Sequence, residues 1–144
     1  MKHRPEDLFA SFLVSSDTLW ICKGHGVIFQ STQKGIAPLI EYLDRYGSSQ
    51  GDIIACDRVI GNAAALLLEK AGCRTVFSVI GSELAENTLQ SLEITYSFAH
   101  VVPYIINRTG EGMCPFEKAS IGTSSDEFFQ YAKKRLRFTD SPPI

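Results

Sequence analysis

Asp52-Ile-Ile-Ala-Cys-Asp-Arg-Val-Ile-Gly-Asn-Ala-Ala-Ala-Leu-Leu-Leu-Glu-Lys-Ala-Gly-Cys-Arg-Thr-Val-Phe-Ser-Val79 is the stretch that decides the fold. Asp52 to Cys56, apolar throughout from Ile53 on, reads as a short strand. Ile60 to Ala71 is apolar on most sides and reads as a helix ended by Gly72. Thr75 to Val79 is a strand again; Ser82 then caps a helix through Leu92, and Ile94 to Phe98 is a further strand. Strand, helix, strand, helix, strand with short links is the pattern of parallel crossovers. Apolar strands of this kind are usually covered on both faces.

Outward from that centre, Thr18–Cys22 and Gly26–Gln30 read as a hairpin turning through Lys23-Gly-His-Gly26. Before it, Pro5 opens a first helix with Glu6 and Asp7 at its positive end. After it, Ile36, Leu39, Ile40 and Leu43 fall at helical spacing with Pro38 in the first turn, and Gly47 ends that helix. Ser124 and Glu127 form a capping box for a last helix that packs through Phe128, Phe129, Ala132 and Leu136. The sequence therefore predicts an α/β three-layer α/β/α sandwich: a mixed sheet with an N-terminal hairpin and parallel crossovers. The 144 residues form a single domain, with a core over about 6–137 and loose ends at 1–5 and 139–144.

The net charge of −2 leaves no electrostatic footprint for nucleic acid. Lys133, Lys134, Arg135 and Arg137 read as charge that complements a helix C-terminus, with phosphate binding as the alternative. Cys22, Cys56 and Cys73 lie in or beside apolar runs and read as core residues, with no Cys-x-x-Cys pair anywhere. No signal-peptide pattern opens the chain, and no apolar run approaches the ~20 residues of a membrane span. A cytoplasmic location with reduced thiols is expected, which makes the Asn107-Arg-Thr109 sequon accidental.

Packing does not explain Pro103-Tyr-Ile-Ile-Asn-Arg-Thr-Gly-Glu-Gly-Met-Cys-Pro-Phe-Glu-Lys118, which sets many polar groups around two glycines and a helix start. With Pro115 at the first helical position, Cys114 is the N-cap, and Glu117 at the third position can reach back to it. The same geometry puts a thiol at the positive end of a helix beside Arg108 and Lys118, surroundings that favour thiolate. Asp57 and Arg58 follow a strand and precede a helix, where ligands of open α/β sheets bind. Asp57 reads equally as a helix cap. Lys34 precedes a helix start, either as an exposed lysine or as an anion contact.

In Lys34-Gly-Ile-Ala-Pro-Leu39, in Ala55-Cys-Asp-Arg-Val-Ile-Gly-Asn-Ala-Ala-Ala65 and above all in Val102 to Lys118, the chain resembles a small prokaryotic family of unassigned function. That family is built on the cytidine-deaminase-like fold, and the resemblance runs from about Ser11 to Lys134. It implies lysine where this chain has Asn62. A zinc deaminase needs His-x-Glu or Cys-x-Glu and then Pro-Cys-x-x-Cys, neither of which occurs here. Asp57, Cys114 and Glu117 would make an unusual zinc set, so no cofactor is predicted and zinc is disfavoured.

The expected ligand is small and anionic or nucleotide-like, bound at the strand C-terminal ends. Asp57 would accept hydrogen bonds from it, and Lys34, Arg58 and Arg108 would pair with its charge. Asn107 would orient it, with Gly110 and Lys118 alongside. Cys114 would be the nucleophile of any covalent step, with Glu117 as proton acceptor or support. The alternative is a non-catalytic sensor or interaction module that has lost a deaminase site. A role within a homo-oligomer is a third reading, because related folds often self-associate.

Overall fold

The structure, a computed structural model, describes residues 4–24, 26–49, 52–107 and 109–140, with only the backbone described over 137–140. In chain order the elements are α1 (Pro5–Val14), β1 (Leu19–Lys23), β2 (Gly26–Ser31), α2 (Ala37–Tyr46), β3 (Ile53–Ile60) and α3 (Asn62–Ala71). There follow β4 (Cys73–Ser82), α4 (Glu83–Ser91), β5 (Thr95–Val102), α5 (Pro115–Ser120) and α6 (Ser125–Asp140). The strands described form one five-stranded sheet in the order β2-β1-β3-β4-β5. β1 runs antiparallel to both β2 and β3, and β3, β4 and β5 run parallel.

Local signals place the helices. Pro5 sits at the first position of α1, and the Arg4 N–H donates to Asp7 Oδ2 at 3.1 Å. The Ser82 hydroxyl accepts from Ala85 N at 3.0 Å, and the Ser124 hydroxyl accepts from Glu127 N at 3.1 Å. These two caps stand where the sequence predicts them. α6 continues to Asp140, into the stretch expected to be loose. The hairpin turn at His25, the loop at Gln50 and Gly51, and the predicted loose ends 1–3 and 141–144 lie outside the described residues.

The helices divide unequally between the two faces. α2, α3, α4 and α6 enclose the main core against Ile21, Phe29, Ala55 and Val76, and α5 packs on its edge through Phe116 and Ala119. On the opposite face, among the described residues, α1 alone packs, with Leu8, Phe9 and Phe12 over Cys22, Ile54, Cys56 and Phe77. Phe9 stacks on Phe77 at 5.4 Å between ring centres, and Phe12 meets Trp20 edge-on at 5.5 Å. Full burial of Phe12 stabilises by roughly 2–3 kcal/mol, and the partly buried Phe9 adds to what holds α1 in place. β1 and β3 are covered on both faces as expected. β5 is not: Thr95, Ser97, Ala99 and Val101, on the α1 side, are exposed.

The inner strands are longer than the sequence predicts. β3 continues four residues past Cys56, pairing Asp57 with Ser78, Val59 with Ile80 and Ile60 with Gly81. The charged Asp57-Arg58 pair looks like a loop in sequence, yet both side chains find protein partners and the ladder passes through them. β4 extends to Ser82 in step with it, and a Cβ on Gly81 would overlap the Phe98 ring of β5.

Candidate functional site

Asp57 lies within β3 and does not cap α3, whose N-cap is Gly61. Its neighbours in the sheet are Leu19 on β1 and Ser78 on β4. Strand alternation puts it on the face of Ile53 and Ala55, under the main helical layer. Its Oδ1 accepts the N–H of Arg58 at 2.6 Å and of Val59 at 3.3 Å. Among the described residues Oδ2 takes no hydrogen bond, and the residue is half-buried. Burial pushes the carboxyl from its ordinary 3.8 up to about 7, against the pull of the two N–H bonds and the Arg58 charge.

Arg58, expected to contact a ligand, faces the other way. Its Nε donates to Asp17 O at 3.1 Å, and its Nη2 donates to Phe12 O at 3.0 Å and Ser15 O at 2.8 Å. The guanidinium lies 4.4 Å from the centre of the Phe12 ring. The planar fork thus closes the C-terminal end of α1, whose last carbonyls have no partners within the helix. Arg58 is a tie between β3 and α1.

Glu117 departs from its expected geometry too. Instead of reaching back to the Cys114 cap, it is fully buried against the start of α3. Oε1 accepts the N–H of Asn62, and Oε2 accepts the N–H of Ile105 at 2.9 Å. Gly61 offers α3 no side-chain cap, so a carboxyl 55 residues further along the chain supplies one. Around it runs a buried polar network. Asn62 Nδ2 donates to Ser120 Oγ at 2.9 Å, Ser120 Oγ donates to Glu117 O at 2.6 Å, and Thr88 Oγ1 donates to Asn62 Oδ1. This network joins α3, α4 and α5. Sequence reasoning flagged Asn62 only as a departure from lysine and passed over Ser78, Thr88 and Ser120; a serine inside the apolar run Thr75–Val79 was the available signal.

The 103–118 stretch is an arm folded back on itself. Ile106 and Met113 form an isolated antiparallel bridge, Asn107 N donates to Gly112 O at 2.8 Å, and Cys114 N donates to Ile105 O at 2.7 Å. Asn107 Oδ1 accepts from Thr109 Oγ1 at 2.9 Å and from Glu111 N at 3.1 Å, so its carbonyl shapes the loop tip. Gly110 is exposed on that tip with φ of 75°. Lys118 is exposed on α5, and Arg108 lies outside the described residues. Lys34 is exposed three residues past Ser31, which pairs with Leu19, itself the partner of Asp57. Lys34 and Asp57 therefore share one end of the sheet.

Cys114 is the N-cap of α5 with Pro115 at the first position, as predicted, though its thiol makes no cap bond. It keeps solvent contact, whereas Cys22, Cys56 and Cys73 are buried. Burial pushes those three thiols up, to about 11 for Cys22 and about 12 for Cys56 and Cys73.

The segment after Asp57 and the 103–118 arm meet at the first turn of α3, through Glu117 on Asn62 and Ile105 against Gly61. Asp57, Cys114 and Glu117 do not form a metal set: among the described residues no three His, Cys, Asp or Glu side chains are grouped to hold an ion. Surface depressions among the described residues lie elsewhere. One runs along β2 and α2 past Val27, Phe29 and Tyr46; another, by Leu8, Asp52, Arg74 and Thr95, opens at the opposite end of the parallel strands. Among the described residues no helix is long and apolar enough to cross a membrane.

These features define a mixed α/β domain with a polar layer at the C-terminal ends of its inner strands. A family model described as Domain of unknown function (DUF1893) matches residues 10–134, and the chain belongs to that family. Among solved structures it is similar to a DUF1893 family protein (TM1506) from Thermotoga maritima, with 24% identity over 93% of each chain and a TM-score of 0.81. That likeness carries the fold alone. No curated protein matches the chain.

Proposed function

We propose that this chain has a cytidine-deaminase-like fold and binds a small nucleotide-like molecule at Asp57, on the C-terminal half of β3. The hairpin followed by parallel crossovers, in the order β2-β1-β3-β4-β5, supports the fold. The observation that carries the binding reading is Asp57: Oδ1 is held by its own backbone, Oδ2 is unpartnered among the described residues, and burial brings its titration to about 7. A carboxyl poised there accepts a hydrogen bond when ionised and donates one when protonated, as recognition of a heterocycle edge requires. Exposed Lys34 at the same end suits a negatively charged group on the ligand.

Both Glu117 oxygens are occupied by backbone N–H groups, which favours a binding module over acid–base work by that residue. Four free cysteines without a disulfide suit a reducing compartment such as the cytoplasm. The test is thermal melting of purified protein against nucleosides, nucleotides and their bases. At saturation one class raises Tm by several degrees, and Asp57→Ala removes the shift. A flat response across the panel overturns the reading.

A further inference from the structure

β5 is an edge strand without the features that usually protect one. Natural sheets blunt their edges with charges, prolines, bulges or a covering element, because an open edge is a template for another strand. Thr95 to Val102 carries no Asp, Glu, Lys, Arg or Pro across eight residues. Its register with β4 runs without a bulge. Among the described residues nothing pairs with its outer side, and Thr95, Ser97, Ala99 and Val101 are exposed on the α1 side of the sheet, outside the cluster that α1 covers. The other edge differs: β2 is six residues long, and its ladder with β1 is broken by an irregularity at Ile21/Cys22.

We infer that β5 pairs antiparallel with β5 of a second copy, joining two five-stranded sheets into one continuous sheet. A strand is what an open row of N–H and C=O groups accepts. The occupant is a second copy because a two-fold axis across β5 makes the contact self-complementary, and the lack of charge means that no like charges face each other. Ser97 and Ala99 are small, so two exposed faces can meet side by side without a clash. Eight residues at about 3.3 Å each give a seam of roughly 26 Å. A seam of that length, one strand deep, falls at the low end of specific contacts, below about 1,200 Å² in total, so association is tested over a range of concentrations.

The experiment is sedimentation of the full chain over 1 to 200 µM. The wild type moves from 15.9 kDa towards twice that mass as concentration rises. The double variant Ser97→Lys with Ala99→Lys sets like charges across the axis and weakens association at least tenfold. Its melting temperature stays within a few degrees of wild type, because both positions are exposed. Ser97→Glu with Ala99→Glu behaves the same alone, and an equimolar mixture of the two variants recovers the dimer. A wild type that stays monomeric throughout, or a dimer unaffected by the lysines, overturns the proposal.

Discussion

A Cβ placed on Gly61 would lie 2.7 Å from Oε1 of Glu117. The missing side chain of one residue is the room taken by the carboxyl of the other, and that carboxyl closes the first turn of α3. Gly61→Ala therefore destabilises by about 2–3 kcal/mol through overpacking. Glu117→Ala leaves the N–H groups of Asn62 and Ile105 without their acceptor and loses about 2–4 kcal/mol. The double variant loses less than the sum, because the alanine then fills space the carboxyl has left. Chemical denaturation of the four proteins measures this coupling, and strict additivity would show that the two sites are independent.

Asp57 makes stability depend on pH. In the folded chain it keeps its proton up to about 7, against an ordinary value of 3.8. Between those values the folded state holds more protons than the unfolded one, so its contribution falls as pH rises from about 4 to about 7 and is level above that. Asp57→Asn retains an acceptor for the Arg58 and Val59 N–H groups and has no charge to bury. It should gain about 1–3 kcal/mol over wild type at pH 8 and match it near pH 4. Melting across that range decides the matter; a gain that is equal at both ends excludes Asp57 as its source.

Arg58 should behave as a structural tie. Arg58→Ala loses three hydrogen bonds to the C-terminal end of α1 and the contact with the Phe12 ring, a loss of about 2–4 kcal/mol. Arg58→Lys recovers only part of this, because an ammonium cannot span three carbonyls as a planar fork does. Unchanged melting in both variants would show that the tie contributes nothing.

The cysteines should separate cleanly under a thiol reagent at pH 7.5. Cys114 has solvent access and labels first; Cys22, Cys56 and Cys73 are covered, with thiols held far above neutrality, and label only with unfolding. Mass spectrometry after brief exposure should find one modification, on the peptide containing Cys114.

The sequence made legible whatever was settled within a few residues. Ser82 with Ala85 and Ser124 with Glu127 are caps whose partners lie within one turn, and Pro115 after Cys114 marks where α5 begins; all three stand where the sequence puts them. Asp57-Arg58 misled because a charged pair inside a strand is tolerable only when partners arrive from elsewhere, here 41 to 46 residues away for the arginine. Glu117 misled for the same reason: its local capping partner was plausible, but α3 lacked a cap of its own and captured the carboxyl. The bare side of β5 is legible in its alternation of Thr95, Ser97 and Ala99 with Tyr96 and Phe98, the pattern of a strand covered on one face, which the expectation of cover on both faces overrides.

One helix alone shields sulfur on the far side of the sheet. Among the described residues, α1 is what lies over Cys22 and Cys56, and it is a ten-residue segment at the start of the chain. Thiols that never meet solvent are slow to oxidise, so durability in air is set by how often this segment peels away. Storage life under oxygen then becomes a readout of a local opening: beyond Cys114, which solvent already reaches, these two sulfurs are exposed as α1 lifts, while the rest of the molecule is still intact.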